Sequence, residues 1–196
     1  MKNLLVDDEF YNKLKNYAVF IPLIEIEGED HILFEVRSKN ITQPGEVSFP
    51  GGRVEDGEDF KDAAIRETTE ELLLDREDIE YMGYSSMILN SSFRHIKSYY
   101  GRIKKNFEDI KYNEEVESVF AVKVEYFKEN PPIMYRAPFL MDFPEDFPFD
   151  KIPNGRDYKF TTGYHDMYFY NTEPVIWGLT AKLLKIFIES WTSNEK

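Results

Sequence analysis

The alternation of apolar and polar positions divides the first part of the chain into strands followed by a helix. Residues 18–27 and 31–37 are apolar and rich in β-branched and aromatic side chains, and Gly28-Glu29-Asp30 between them predicts a hairpin turn. A short apolar run at 47–49 leads into a glycine pair, and residues 60–73 then follow helical spacing. This part of the chain therefore predicts a hairpin, a brief strand and one long helix.

The rest of the pattern adds strands and a terminal helix. We predict strands over residues 79–84, 96–104 and 119–126, and an amphipathic helix over 174–191. Residues 8–16, before the first strand, predict a short amphipathic helix. Strands and helices mix here without strict alternation, which favours a mixed sheet with a helix on each face.

The segment from 130 to 153 breaks the pattern. It holds six of the ten prolines of the chain together with four phenylalanines, which indicates a long loop or an edge hairpin. Residues 159–170 return to a strand-like pattern around Gly163. A length of 196 residues suits one domain, so we predict a single domain over residues 1–196 with an irregular insertion at about 130–172.

Composition narrows the range of partners. Thirty-seven acidic and 24 basic residues give a net charge of −13, which argues against nonspecific nucleic-acid binding and against anionic membranes. The chain has no cysteine, which excludes a disulfide framework, a thiol nucleophile and a zinc–thiolate site. No apolar run has the length of a membrane span, and the N-terminus lacks a signal-peptide pattern. We therefore expect a cytoplasmic monomer or homodimer that binds a small molecule.

Three carboxylates in the helix over 60–73 indicate a cation site. Glu67, Glu70 and Glu71 stand at positions i, i+3 and i+4, so a helix places them on one face. A bound hard cation would offset their repulsion, and oxygen-only ligands suit Mg²⁺ or Mn²⁺. The turn at Gly51-Gly52 lets the backbone approach a ligand closely. The alternative from the residues alone is a solvated acidic helix after an ordinary turn.

The spacing of these residues resembles the Nudix box. Gly52 is followed after five residues by Glu58, after seven more by Arg66-Glu67, and after two more by Glu70-Glu71. The resemblance implies an α/β/α sandwich with a mixed β-sheet. It also implies hydrolysis of a nucleoside diphosphate linked to another group X.

Two positions depart from the box. Thr68 stands where the family usually has a bulky apolar residue, and Leu73 replaces the closing glycine. Glycine is the usual residue just past a helix C-terminus, so Leu73 leaves the helix end open. Neither departure removes a carboxylate.

The resemblance also implies roles for the residues of the box. Mg²⁺ or Mn²⁺ would be held by Glu70 and Glu71 as the firmest ligands, by the Gly52 carbonyl, and by Glu67 as a ligand or base. We expect Arg66 and Glu58 to form a structural pair that orients the helix.

A further base or ligand is expected from the acidic stretch at 114–117. Glu114, Glu115 and Glu117 are candidates, and Glu115 is favoured because residues 113–116 resemble an Asn-x-x-Glu-Val stretch of the family. The alternative is a solvated acidic turn.

The residues before the box look like the coenzyme A pyrophosphatase branch of the family. Residues 33–52, LFEVRSKNITQPGEVSFPGG, carry an Arg-Ser pair and a Gly-Glu-Val-x-Phe-Pro-Gly-Gly run typical of that branch, and residues 175–181 are similar to the start of its last helix. The resemblance implies coenzyme A or its acyl derivatives as substrate, with 3′,5′-ADP and 4′-phosphopantetheine as products. Thr42-Gln43 lie where that branch usually has an arginine.

Four residues near the box are substrate-binding candidates, namely Arg37, Phe49, Gly51 and Arg53. A guanidinium can bind phosphate with two parallel hydrogen bonds, although Arg37 equally fits a solvated strand end. Phe49 equally fits a packing role.

Two other functions remain open. One is the same chemistry on ADP-ribose, NADH or a dinucleoside polyphosphate, and the other is a non-catalytic nucleotide sensor of the same fold. His31, His95 and His165 show no metal-ligand spacing, so we interpret them as structural. His165 also lies in an aromatic run, TTGYHDMYFY, that offers rings to a nucleobase.

Overall fold

The computed structural model describes residues 14–90, 93–160 and 163–194. Its strands are β1 (Lys15–Ile26), β2 (Glu29–Arg37), β3 (Val47–Ser48), β4 (Gly51–Arg53), β5 (Ile79–Leu89), β6 (Arg94–Ile103), β7 (Val116–Lys123), β8 (Ile133–Pro138), β9 (Tyr164–Tyr170) and β10 (Ile176–Trp177). Its α-helices are α1 (Phe60–Glu71), α2 (Val124–Glu129) and α3 (Gly178–Asn194). Short 3₁₀ turns span Arg76–Asp78, Phe107–Asp109, Phe149–Lys151 and Gly155–Asp157. None of the helices in these ranges is long and apolar enough to cross a membrane.

A seven-stranded mixed sheet lies at the centre of the fold. Its main path runs β3-β2-β1-β6-β5, with β4 paired to β1 and β7 paired to β2. The predicted hairpin is present as the antiparallel pair β1–β2, whereas β1 and β6 run parallel. The long parallel pairing of β1 and β6 places β1 in the interior of the sheet.

The two faces of the sheet are covered by different helices. Successive residues of a strand point to opposite faces, so alternate positions of β1 and β2 contribute to two separate cores. The core under α1 contains Phe20, Leu33, Ala63 and Ala64, and the core under α3 contains Ile21, Phe34, Leu184 and Phe187. The helix–sheet–helix layering confirms the predicted α/β/α sandwich.

Much of the segment predicted as an insertion forms a second, three-stranded antiparallel sheet, in the order β10-β9-β8. Arg136 and Asp166 make a bidentate ion pair across the β8–β9 hairpin, at 2.7 and 3.0 Å. Phenylalanine rings of the connecting loop, at positions 143, 147, 149 and 160, pack against one another. Tyr170 at the end of β9 is buried in the core under α3, which attaches this sheet to the rest of the protein.

Several element boundaries differ from the sequence prediction. The strand predicted over 79–84 continues to Leu89, and the helix predicted over 60–73 ends at Glu71. The strand predicted over 119–126 ends at Lys123, because Val124 and Phe127 start a helical turn that buries both side chains. The terminal helix begins at Gly178 rather than 174, because Ile176 and Trp177 pair with β9. Most of the helix predicted over 8–16 lies outside the described residues, but positions 15 and 16 belong to β1.

Candidate active site

The glycine turn lies where β4 pairs with β1, directly beside α1. A Cβ on Gly51 would lie 2.4 Å from the carbonyl oxygen of Ala18, so no larger residue fits there. A Cβ on Gly52 would lie 2.4 Å from the carboxylate of Glu67. The backbone of the turn therefore packs against a carboxylate of the helix, and both glycines are needed for this close approach.

Glu71, the last residue of α1, connects the helix to the turn. Its side chain is buried, and Oε2 accepts a hydrogen bond from the Gly51 N–H at 2.9 Å. Burial raises the pKa of Glu71 to about 8, the Gly51 hydrogen bond opposes this shift, and the charges of Glu67 and Glu115 add to it. A carboxylate in these surroundings retains its proton at neutral pH unless a positive charge lies beside it.

Arg66 lies among the other carboxylates of the helix. Its Nε and Nη2 donate to the two carboxylate oxygens of Glu58 at 2.9 and 3.1 Å. The guanidinium also contacts Glu67 at 3.1 Å and Glu70 at 3.2 Å. The hydrogen bond with Arg66 lowers the pKa of Glu58, whereas burial raises the pKa of Glu67 despite the guanidinium.

Asn113 attaches the loop of Glu115 to the end of α1. Its N–H donates to the carbonyl oxygen of Glu71 at 2.8 Å, and its side-chain amide donates to the carbonyl oxygen of Glu70 at 3.1 Å. Its Oδ1 accepts the N–H of Glu115 at 2.9 Å. These bonds satisfy two carbonyl groups that a helix end leaves without intrahelical partners, and they hold Glu115 near Glu71.

Glu35 is an acidic residue that the sequence analysis did not assign. It lies on β2 with a residual exposure of 2%, and its Oε1 has no hydrogen-bond partner among the described residues. Burial raises the pKa of Glu35 well above its usual value, and the charge of Glu71 acts in the same direction. The feature of the sequence that could have indicated Glu35 is an acidic residue at an inward-facing position of the apolar run HILFEVR.

A cavity of about 630 Å³ opens beside the glycine turn. One wall holds eight predicted site residues, namely Arg37, Phe49, Gly51, Gly52, Arg53, Glu67, Glu71 and Glu115. The facing wall holds His165, Asp166, Trp177, Thr180 and Lys182, and Arg94 of β6 also lines the cavity. Only His165 of that second group was considered from the sequence, since the wall forms where β9, β10 and α3 come together.

Several predicted substrate contacts also have structural partners. The Phe49 ring is buried and stacks on Phe34 with ring centroids 5.0 Å apart. The Nε of Arg37 donates to the carbonyl oxygen of Thr42 at 2.9 Å. The Arg53 carbonyl accepts from Nη2 of Arg66 at 3.2 Å. Phe49 thus packs in the core under α3 while it also borders the cavity.

The oxygen donors at this wall fit a hard divalent cation. The carboxylates of Glu67, Glu71 and Glu115 line the cavity, and their charges all act on the buried Glu35, which does not line it and has one oxygen without a partner in the described ranges. With the side chains as placed, no three acidic or imidazole groups of the described residues converge closely enough to hold a cation. Glu67 and Glu70 contact Arg66, and Glu71 accepts the Gly51 N–H.

The mixed sheet, the acidic helix and the glycine turn together define a Nudix-type domain. The family model described as the NUDIX domain matches residues 14–137, and the chain belongs to this family. This match confirms the family predicted from the spacing of the box.

Two curated relatives and one solved structure illustrate the similarity. Nudix hydrolase 3 of Caenorhabditis elegans is 34% identical over 113 residues, which cover 55% of this chain and 47% of the relative. The peroxisomal coenzyme A diphosphatase NUDT7 of Mus musculus is 31% identical over 123 residues, which cover 61% and 51%. The chain thus spans about half the length of these relatives. A crystal structure of a NUDIX hydrolase from Nitrosomonas europaea shares the fold, with a TM-score of 0.51 and 17% identity over 91% of this chain and 72% of that chain.

Proposed function

We propose that this chain is a divalent-cation-dependent hydrolase that cleaves the pyrophosphate bond of a nucleoside diphosphate linked to X. The proposed substrate is coenzyme A or an acyl derivative, and the products are 3′,5′-ADP and 4′-phosphopantetheine. The observation that carries the proposal is the contact between the glycine turn and the carboxylates of Glu67 and Glu71 at one wall of the cavity.

The cation would be Mg²⁺ or Mn²⁺, held by Glu67, Glu70, Glu71 and the Gly52 carbonyl. When bound, it neutralises diphosphate charge and makes water a better nucleophile. The bidentate pair of Arg66 and Glu58 fixes the start of α1 relative to the turn. In the absence of a cation, the same guanidinium balances Glu67 and Glu70.

Other residues would bind and orient the substrate. Arg37 and Arg53 supply positive charge beside the turn, and Lys182 supplies it from the facing wall. Trp177 is 40% exposed and stacks on Phe169 at 5.7 Å, so its other face is a platform for a planar base. Glu115, which Asn113 holds in place, would accept the proton of the attacking water.

One observation supports coenzyme A as the substrate and another opposes it. A mouse relative is named as a coenzyme A diphosphatase, which supports coenzyme A. Thr42 and Gln43 line the cavity where the resembling branch usually has an arginine, so this loop offers one positive charge fewer to the phosphates. That favours ADP-ribose, NADH or a dinucleoside polyphosphate as the second candidate.

A substrate panel tests the proposal. Purified protein with Mg²⁺ is incubated with coenzyme A, ADP-ribose, NADH and a dinucleoside polyphosphate, and the products are separated by chromatography. Cleavage of coenzyme A to the two named products is the expected result. Intact coenzyme A together with cleaved ADP-ribose would support the second candidate instead.

A matched pair of variants separates an enzyme from a nucleotide sensor. Glu70→Gln should fold and lose turnover, whereas Glu125→Gln, which changes an exposed acid on α2 away from the cavity, should keep it. Binding of a nucleotide without turnover in the wild-type protein, and unchanged binding in Glu70→Gln, would identify a sensor.

A further inference from the structure

Glu35 lies on the inner side of the candidate active site, behind the carboxylates of α1. It shares a strand face with Leu33, whose side chain lies in the core under α1, so Glu35 points towards the same helix. Its cross-strand neighbours are Val119 on β7 and Ser48 on β3. Neither neighbour carries a positive charge.

Two buried oxygen atoms without partners belong to neighbouring residues on this face of the sheet. Oε1 of Glu35 and Oγ of Ser48 are both buried, and neither has a hydrogen-bond partner in the described part of the chain. The two residues are directly paired in the β2–β3 ladder, so their side chains stand on the same side of the sheet. Ser48 lines the same cavity as Glu67 and Glu71, and its ladder partner Glu35 lies beside it.

The charges around Glu35 have the wrong sign to balance it. Glu71, Glu115 and Glu67 all act on it as like charges, and Arg37 is the opposing charge among its main influences. The Nε of Arg37 is already bonded to the Thr42 carbonyl. A buried carboxylate is retained in a protein when it is paired or coordinates a metal, and the first condition is poorly met here.

We propose that Glu35 is an additional carboxylate of the divalent-cation site, which offers its unpartnered oxygen to the cation from the sheet side of Glu71. An apolar residue at this position of β2 would pack under α1 without any electrostatic cost, so the carboxylate is explained by a positive charge that arrives with the ligand. The inference rests on the proposed function, because it takes the cation to be held by α1.

Direct binding of Mn²⁺ tests the inference without any use of turnover. Calorimetric titration compares the wild-type protein with Glu35→Gln and with Glu25→Gln, a matched change of an exposed acid on β1. We expect Glu35→Gln to bind Mn²⁺ at least about 10-fold more weakly and Glu25→Gln to bind as the wild type does. Equal affinity in Glu35→Gln and the wild type would overturn the inference.

A measurement on the unmodified protein guards against a variant that fails to fold. The side-chain carboxyl ¹³C resonance of Glu35, assigned through its own bonded nuclei, should shift on saturation with Mg²⁺. A resonance that stays unchanged at saturation would also overturn the inference.

Variants of α1 separate this inference from the proposed function. If Glu71→Gln binds Mn²⁺ weakly and Glu35→Gln binds it normally, the inference about Glu35 fails and the proposed cation site on α1 stands. Normal binding in both Glu70→Gln and Glu71→Gln would overturn the proposed cation site itself.

Discussion

The backbone N–H of Gly51 donates a hydrogen bond to the side chain of Glu71, 20 residues further along the chain, at 2.9 Å. This bond joins the glycine turn to the C-terminal end of α1. It also places an N–H donor on a carboxylate whose pKa burial raises to about 8. The stability of the cation-free protein should therefore depend on the titration of Glu71 together with its buried neighbours Glu35 and Glu67, whose pKa values are also raised.

The first prediction concerns pH. Between the ordinary pKa of 4.5 and the folded-state pKa of about 8, the folded protein retains a proton on Glu71 that the unfolded chain releases. The folded state then binds more protons, so the free energy of unfolding falls as pH rises through this window. The measurement compares the melting temperatures of the wild type and of Glu71→Gln in the presence of a chelator. We expect the wild-type value minus the variant value to fall by about 3 °C or more between pH 5 and pH 8.5.

Glu71→Gln is a suitable reference because the amide oxygen still accepts the Gly51 N–H. His95, whose pKa burial lowers, titrates in both proteins and cancels in the difference. Glu35, whose pKa the charge of Glu71 helps to raise, does not cancel, so the difference reports the titration of Glu71 together with its effect on Glu35. A difference in melting temperature that stays constant from pH 5 to pH 8.5 would contradict the prediction.

The second prediction separates the two glycines of the turn. Gly51→Ala drives a Cβ against backbone atoms of β1, which cannot move, so it should destabilise the fold by about 1–3 kcal/mol. Gly52→Ala meets only the flexible carboxylate of Glu67, so the fold should persist while Mn²⁺ affinity falls about 10-fold. Chemical denaturation and Mn²⁺ titration check the two effects, and similar behaviour of the two variants would refute the distinction.

The third prediction concerns the end of α1. Leu73 has a φ of 47°, in the left-handed region, and its side chain is 53% exposed. Glycine adopts this conformation without the Cβ clash, so Leu73→Gly should raise the free energy of unfolding by about 0.5–1 kcal/mol. Leu89 is the control, because it is 51% exposed but lies in β5, where glycine weakens a strand. Leu89→Gly should therefore lower the free energy of unfolding. Urea denaturation of both variants gives the comparison, and a destabilised Leu73→Gly would contradict this account.

The fourth prediction concerns the pair of Arg66 and Glu58, whose side chains are 26% and 17% exposed. A double-mutant cycle with Arg66→Gln and Glu58→Gln should give a coupling energy of about 1 kcal/mol, which 1 M salt weakens. The exposed pair of Lys185 and Glu189 on α3 is the control and should give about 0.3–0.5 kcal/mol. Equal coupling energies for the two pairs would count against a structural role for Arg66.

Much of the fold could be predicted because its signals are local. The β1–β2 hairpin follows from two apolar runs around Gly28, and α1 follows from helical spacing after Asp59, whose side chain caps the helix by accepting the N–H of Lys61. The end of α1 was harder to predict, because Leu73 lacks the freedom of glycine. The helix still ends there because Leu72 and Leu74 on either side are buried, and that burial outweighs one strained residue.

Parts of the site could not be predicted because they depend on contacts between distant segments. Sequence alone does not fix which acids of an apolar strand point inward, so Glu35 was missed until the register of β2 with β3 and β7 was known. The start of α2 at Val124 could not be predicted for the same reason. Its apolar residues suit either a strand or a helix, and the packing against α3 determines that a helix forms. Trp177 and Lys182 reach the cavity only through the arrangement of β9, β10 and α3.

The two walls of the cavity come from different parts of the fold. The carboxylates project from the region of β1, β2 and α1, whereas His165 and Asp166 project from the β8–β9 hairpin. Replacing the β8–β9 hairpin would therefore change the side of the cavity that holds His165 and Asp166 and leave the carboxylates of the other side in place.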